Sequence, residues 1–184
     1  MLAPSTNIIY GLSEESLIEG CIRGKRDCQE QLYRFYSPKM FGICLRYASD
    51  YHMAEDILQE GFIKIFMNID RYKGSGSFEG WLKRIFINTA IEQFRKTFRF
   101  DEYGATGESE ELKTENAWQK LSSQDLLAMV QKLSPGYRTV FNMYAIEGYS
   151  HKEISELLNI SEGTSKSQLA RARMLLQKML SGQD

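Results

Sequence analysis

Residues that build metal centres, disulfide frameworks and nucleophilic sites are scarce in this sequence. The 184-residue chain has three cysteines and two histidines, and neither set shows the spacing of a metal site or of a catalytic pair. We interpret Cys21, Cys28 and Cys44 as core or surface residues without a redox role, and His52 and His151 as satisfied or solvated side chains. The sequence therefore predicts no catalytic residue, no metal site and no cofactor.

Long apolar runs are missing as well. No stretch approaches the roughly 18 to 20 apolar residues needed to span a bilayer, and the N-terminus lacks the basic start and the apolar run of a secretory signal. We therefore expect a cytoplasmic protein with no membrane insertion of its own. The glycine cluster KGSGSFEGW (73–81) matches neither a dinucleotide fingerprint nor a P-loop, so no nucleotide-hydrolysing site is expected.

Proline is the third scarce residue, with three in the chain. Together with few strand-like alternations and a repeated helical spacing of apolar residues, this scarcity predicts an all-α protein. Residues 100–123 are polar, rich in glycine and glutamate, and lack a sustained apolar stripe, which predicts a flexible acidic linker. The linker separates a helical domain at 11–99, which follows an N-terminal tail at 1–10, from a second helical domain at 124–184.

Charge is segregated along the chain although the net charge is only −1. Residues 71–99 hold seven basic and two acidic side chains, whereas residues 101–125 hold two basic and seven acidic ones. Such segregation points to charged partners rather than to solubility alone.

The C-terminal domain contains clear signals for helix starts and ends. Ser134 and Pro135 are typical of the N-cap and first position of a helix, which we expect to end at Gly148. A second helix is predicted to begin with a capping box formed by Ser150 and Glu153. Its apolar face is formed by three residues at helical spacing: Ile154, Leu157 and Leu158.

A tight turn follows this second helix. Asn159 is suited to the left-handed conformation that ends a helix, and Ser161 is suited to cap the next one. The segment is therefore predicted to be a helix-turn-helix motif.

The last helix carries a buried stripe and a cationic outer face. Leu169, Ala172 and Leu176 form the stripe. The residues on or beside the opposite face are Lys166, Ser167, Ala170, Arg171, Arg173 and Met174. Cations can meet phosphates or guanine edges, and alanine or methionine suits thymine methyl groups. An ordinary solvated cationic face is the alternative, and the capped helix before it favours DNA binding.

The helix predicted at 53–69 has an apolar patch on its acidic side. Its core stripe consists of Ala54, Ile57, Leu58, Gly61, Phe62 and Ile65. On the reverse side, Asp56, Gln59 and Glu60 surround Ile63 and Met67. This arrangement suggests a protein partner, although a solvated face with two stray apolar residues is also common.

The next helix, at 81–96, has a basic and aromatic outer line. Its predicted core residues are Leu82, Phe86, Ile87, Ala90, Ile91 and Phe94. Trp81, Arg84, Asn88 and Arg95 lie within about 60° of one another on the opposite side of the helical wheel. Cations, an amide and an aromatic ring together are typical of a nucleic-acid surface.

Four segments in order, AEDILQEGFIKIF, YKGSGSFEGWLKRIFINTAIEQFRK, LSPGYRTVFNMYAIEGYSHKEISELL and ISEGTSKSQLARAR, resemble regions two and four of bacterial sigma factors. The resemblance is to the extracytoplasmic-function (ECF) group of the sigma-70 family and runs from about Ser13 to Leu180. It implies a non-enzymatic protein that binds core RNA polymerase, recognises the minus-10 and minus-35 promoter elements and assists strand opening. It also implies control by an anti-sigma factor.

The resemblance assigns roles to individual residues. The clamp helices of the largest polymerase subunit would contact Asp56, Gln59, Glu60, Ile63 and Met67. The flap of the second-largest subunit is a further implied contact. Minus-10 DNA would contact Tyr72, Lys73, Gly74, Ser75, Ser77, Trp81, Arg84, Asn88 and Arg95. Minus-35 DNA would contact Thr164, Lys166, Ser167, Ala170, Arg171 and Arg173.

Two residues depart from the family pattern. Ser165 stands where the family motif Gly-Thr-Val has valine, so a core position is polar here. Gly61 stands where many relatives carry an apolar residue, at a helix cost of up to about 1 kcal/mol relative to alanine. We interpret Gly61 as a permitted variant.

The sequence leaves two other function classes to consider. An ordinary DNA-binding regulator would explain residues 134–180 and would footprint DNA without polymerase, but it gives no reason for the basic, aromatic helix at 81–96. An enzyme acting on nucleic acid is disfavoured because no carboxylate, cysteine or histidine cluster has catalytic or metal-binding spacing. A nuclease assay with divalent metal would test for it.

Overall fold

The computed structural model describes residues 8–9, 11–97 and 123–181. The helices within these ranges are α1 (Glu14–Ile22), α2 (Arg26–Tyr47), α3 (Tyr51–Asn68), a 3-10 turn (Ile69–Arg71), α4 (Phe78–Thr97), α5 (Ser123–Lys132), α6 (Pro135–Phe141), a π-helical turn (Asn142–Ile146), α7 (His151–Leu158) and α8 (Glu162–Leu180). The all-α prediction is confirmed. The sequence did not predict a short antiparallel pair, β1 (Ile8–Ile9) with β2 (Leu12–Ser13).

Some predicted segments fall outside the described ranges. The predicted linker at 100–123 lies outside them except for Ser123, and so does the predicted tail at 1–10 except for Ile8 and Ile9. The division into functional domains stays a prediction. Across the described ranges, no helix combines the length and the apolar character needed to cross a membrane.

Contacts group the described residues into two compact units. Unit 1 takes its residues from 1–44 and 55–89, and unit 2 takes its residues from 45–54 and 90–184.

The apolar stripes predicted for α3 and α4 are buried. Every residue of the two predicted stripes is buried, and Ile57, Ile65 and Leu82 are 0% exposed. Burial of such apolar surface is the main favourable term in folding. The three cysteines are buried, and burial raises the pKa of Cys21 to about 12, which keeps that thiol protonated.

Gly61 lies against the ring of Phe86 in unit 1. A Cβ atom at position 61 would lie 2.3 Å from Cε1 and 2.5 Å from Cδ1 of that ring. The Phe86 ring is itself fully buried and meets the Phe62 ring edge to face, with 5.3 Å between ring centroids. The close approach of α3 to α4 therefore gives Gly61 a packing role that the sequence did not reveal.

The predicted helix from Ser134 to Gly148 is confirmed in outline and corrected in detail. Pro135 begins α6, but the Ser134 side chain makes no capping hydrogen bond and its buried hydroxyl has no partner in the described part of the chain. A π-helical turn completes the segment, and Gly148 follows it with a φ of +79°.

The predicted caps of the helix-turn-helix are confirmed. The Ser150 hydroxyl accepts a hydrogen bond from the Glu153 backbone N–H, and the Glu153 carboxylate accepts one from the Ser150 N–H at 2.8 Å. Asn159 has a φ of 55° in the left-handed region, which glycine and asparagine adopt more readily than other residues. The Ser161 hydroxyl accepts from the Thr164 N–H at 2.9 Å. These local bonds set the start and end of α7 and the start of α8.

Candidate nucleic-acid interface

The glycine-rich segment between the 3-10 turn and α4 forms one wall of a cavity of about 290 Å³. The residues that line the cavity are Arg71, Tyr72, Lys73, Ser75, Gly76, Ser77, Gly80, Trp81 and Arg84. Gly74 and Gly76 have φ values of 71° and 92°, which residues other than glycine adopt at a steric cost. The Tyr72 hydroxyl donates a hydrogen bond of 2.7 Å to the Gly76 carbonyl and so closes the loop.

Aromatic rings hold the indole at the cavity wall. The Trp81 and Phe78 rings are stacked at a centroid distance of 5.7 Å, and Tyr72 meets both rings at 5.7 and 5.0 Å. Phe78 is 1% exposed, so the cluster is anchored in the core of unit 1. The Ser77 hydroxyl accepts from the Gly80 N–H at 3.1 Å and caps α4. The indole is therefore placed before any ligand arrives.

The cavity is positively charged. Arg71, Lys73 and Arg84 belong to its lining, and no acidic side chain is among its described lining residues. The nearby carboxylate of Glu79 is engaged by Lys39 at 2.9 Å and Lys83 at 3.0 Å. The hydrogen bonds from these two lysines lower the pKa of Glu79. The charges at this cavity therefore favour the binding of a polyanion, because the cations line it and the nearby carboxylate is paired with lysines.

Most of the residues predicted for minus-10 DNA are brought together by this cavity. Gly74 belongs to the same loop. Asn88 and Arg95 are exposed on α4 and are not among the lining residues of the cavity. Arg71 was missed by the sequence analysis, and its position directly before Tyr72 in a basic segment was the available signal.

The outer face of α3 is exposed as predicted. Ile63 is 58% exposed and Met67 is 76% exposed, while Asp56 and Gln59 are exposed beside them. Glu60 is partly buried, and its carboxylate pairs with Lys64 at 2.9 Å. The face therefore presents two large apolar side chains with polar neighbours.

The predicted outer face of α8 is only partly open. Lys166, Arg173 and Met174 are exposed, whereas the other predicted contact residues, Thr164, Ser167, Ala170 and Arg171, are partly buried. The Thr164 and Ser161 hydroxyls form a hydrogen bond of 2.9 Å, and the Ser167 hydroxyl donates to the Thr164 carbonyl at 3.0 Å. The predicted stripe of Leu169, Ala172 and Leu176 is buried. Predicted contact roles on this helix stay predictions.

A hydrogen bond to α7 explains the polar residue at position 165. Ser165 is fully buried, and its Oγ lies 2.8 Å from Nδ1 of His151. Burial lowers the pKa of His151; the positive charge of Lys166 acts in the same direction, Glu162 opposes it, and Arg173 lowers the pKa further. The neutral imidazole is therefore favoured near neutral pH. A satisfied or solvated His151 was predicted from the sequence, whereas its partner Ser165 was not.

An aromatic stack continues from the same histidine. The His151 ring stacks on the Tyr144 ring with 4.5 Å between centroids and 23° between planes. The Arg173 guanidinium carbon lies 5.7 Å from the Tyr144 centroid, within the range of a cation–π contact. The π-helical turn, α7 and α8 are thus joined by one set of side chains.

Known proteins match both halves of the chain. The family description "Sigma-70 region 2" matches residues 32–100, and "Sigma-70, region 4" matches residues 123–176. The ECF RNA polymerase sigma factor SigW of Bacillus subtilis is 31% identical over 171 residues, which cover 86% of this chain and 91% of the relative. The ECF RNA polymerase sigma-E factor of Haemophilus influenzae is 26% identical over 92% of this chain and 96% of its own.

A solved structure is also similar. It is the sigma factor RpoE in complex with the anti-sigma factor NepR from Bartonella quintana. The likeness has a TM-score of 0.50 and an identity of 25%, and it covers 83% of this chain and 96% of the other.

Proposed function

Because the chain belongs to the ECF group of the sigma-70 family of RNA polymerase sigma factors, we propose that it binds core RNA polymerase and directs it to specific promoters. The family consists of transcription initiation factors rather than enzymes. Action with polymerase places the protein in the cytoplasm. The observation that carries the finer proposal is the cationic, aromatic cavity at the start of α4.

The cavity suits a base that has left the DNA stack. The fixed indole of Trp81 offers a stacking surface, and the hydroxyls of Ser75 and Ser77 offer hydrogen-bonding groups. Lys73 and Arg84 can contact the phosphates on either side. We assign this cavity to the minus-10 element, with Asn88 and Arg95 continuing the contact along α4.

Binding energy can support the strand opening that this assignment requires. Unstacking costs about 1.4 kcal/mol per base-pair step on average, and stacking of a base on an aromatic side chain is worth about 1–3 kcal/mol. One or two trapped bases can therefore offset a small part of a bubble, and polymerase must supply the rest. The holoenzyme is the functional unit.

The outer face of α3 is the proposed contact with polymerase. Two exposed apolar side chains, Ile63 and Met67, can be buried by a partner while the exposed Asp56 and Gln59 stay at the rim. We assign the clamp helices of the largest subunit to this face. The flap of the second-largest subunit is a further proposed contact, without assigned residues.

The helix-turn-helix is the proposed reader of the minus-35 element. Both helices of the motif, α7 and α8, are capped at their start, and α8 carries Lys166, Arg171 and Arg173. Such cations can contact guanine edges and phosphates. The relative from Bartonella quintana was solved with an anti-sigma factor. We propose that a protein inhibitor of this kind also controls the present chain.

Run-off transcription with core polymerase tests the function. Addition of the protein should produce promoter-specific transcripts that core polymerase alone does not make. Removal of Gly74–Ser77 should leave polymerase binding intact, abolish permanganate-reactive thymines on duplex promoter, and be rescued by a template with a pre-melted minus-10 bubble. Normal melting by the shortened protein would show that the loop is only a connector.

A matched pair of substitutions separates backbone strain from loss of function. Gly74 and Gly24 both have a φ of +71°, and an added Cβ at either position would meet nothing within 4 Å. Alanine at either site therefore introduces the same local strain. Gly74→Ala should slow promoter melting, and Gly24→Ala should not, because Gly24 lies in the turn between α1 and α2. Equal effects would assign the defect to stability rather than to the cavity.

A further inference from the structure

Ser165 and His151 depend on each other in the folded protein. A fully buried hydroxyl is costly without a hydrogen-bond partner, and the ring nitrogen of His151 at 2.8 Å supplies one. A valine at position 165, as in the family motif, would offer His151 no hydrogen-bond partner. A hydrogen bond depends on direction, so the Ser165–His151 bond favours one rotation of α8 against α7 over others.

The His151 ring also makes a second contact, with Tyr144. It stacks on Tyr144, and Tyr144 is the surface beneath the Arg173 guanidinium. The Arg173 side chain is exposed, so an aromatic surface on one side restricts where its charge can reach.

We propose that His151 is a positioning residue for minus-35 recognition, acting through Ser165 on the base-reading face of α8 and through Tyr144 on Arg173. The inference rests on the proposed function, since it assumes that α8 reads DNA. It differs from a direct DNA contact because both effects of His151 pass through named neighbours. The two routes can be separated because one uses the Nδ1 atom and the other uses the ring face.

Two substitutions separate the routes. His151→Phe retains an aromatic ring for Tyr144 and removes the bond to Ser165. His151→Asn retains an amide near the position of Nδ1 and removes the ring. Ser165→Val supplies the apolar residue of the family motif and makes the hydrogen bond unnecessary. Glu156→Ala, an exposed position on the same helix, serves as the control.

Holoenzymes with these variants are compared for binding to promoters substituted at each minus-35 position, at two salt concentrations. We expect His151→Phe to reduce discrimination between bases by about three- to tenfold, up to the worth of one ordinary hydrogen bond. His151→Asn should keep the base profile, lower affinity evenly and flatten the salt dependence. In the Ser165→Val background, His151→Phe should cause no further loss of discrimination.

Either of two results in the promoter-binding comparison would overturn the proposal. One is an unchanged base profile for His151→Phe. The other is an equal change in the Ser165→Val background, which would make His151 a direct DNA contact. All variants should transcribe a pre-melted template without a minus-35 element as well as the parent protein does, and a shared loss there would indicate misfolding and refute a positioning role.

Failure of the proposed function gives a different pattern. In that case the unsubstituted protein produces no promoter-specific transcript at all. Coupling between positions 151 and 165 in urea unfolding, measured with the two single variants and the double variant, reports the hydrogen bond independently of DNA. Absence of coupling there would overturn the inference even if transcription is normal.

Discussion

Gly61→Ala should destabilise the protein even though alanine is the better helix former. In an exposed helix the change would stabilise by up to about 1 kcal/mol. Here the new Cβ would lie 2.3 Å from Cε1 of Phe86, far inside the roughly 3.5–4.0 Å of an ordinary carbon contact. The ring cannot withdraw freely because it is fully buried and packed on Phe62.

The size of the effect follows from these opposing terms. Overpacking of a core typically costs about 1–3 kcal/mol, and a contact this short belongs at the upper end. After subtraction of the helix term, a net loss of about 2 kcal/mol remains. For a chain of this length the loss corresponds to a fall of about 4–8 °C in the melting temperature.

Urea unfolding followed by circular dichroism measures the effect, and Gly42→Ala is the matched control. Gly42 lies inside α2, and an added Cβ there would meet nothing within 4 Å, so that variant should gain up to about 1 kcal/mol. Phe86→Leu should cost less in the Gly61→Ala background than alone, because the smaller side chain leaves space for the new methyl group. If Gly61→Ala is as stable as Gly42→Ala, the packing argument is refuted.

Other predictions concern the proposed surfaces. Joint substitution of Gln59 and Glu60 by alanine should weaken core polymerase binding in a pull-down with unchanged helical circular dichroism, and full binding would exclude this helix from the interface. Arg171→Ala should cost roughly 1–3 kcal/mol of binding and relax preference at one minus-35 position, whereas Arg173→Ala should weaken binding evenly and flatten its salt dependence; identical sequence profiles would refute this assignment. Because the pKa of His151 is lowered, mainly by burial, the unfolded chain binds more protons than the folded one below about pH 6.5. The contribution of His151 to the free energy of unfolding is therefore fully present above that pH and is lost as the pH falls through the lowered pKa of His151. His151→Phe should abolish this part of the pH dependence of urea unfolding.

Local features were predictable from sequence. The capping box at Ser150, the left-handed Asn159 and the cap at Ser161 each involve residues three or four positions apart or a single backbone angle, and all three are confirmed. The buried stripes of α3, α4 and α8 followed from helical spacing alone.

Features that depend on distance between elements were not predictable in the same way. Gly61 was interpreted as a permitted variant, and nothing local to it indicates that Phe86, 25 positions later, lies against it. Ser165 was identified as a departure from the family, but its partner belongs to another helix. The loop at 72–80 was identified through its resemblance to the family, whereas the shape of its cavity and the position of Arg71 in the lining depend on the packed rings of unit 1.

The caps of α7 and α8 have a consequence for how the chain folds. Each cap closes over three residues, and the bond that joins the two helices spans 14. Contacts of such short range cost little loop-closure entropy. Chains rich in local contacts fold fast. We therefore expect the α7–turn–α8 hairpin to be among the earliest native structure to form. Mutations at its caps should then slow refolding, while mutations at contacts made later, such as Gly61 with Phe86, should mainly speed unfolding.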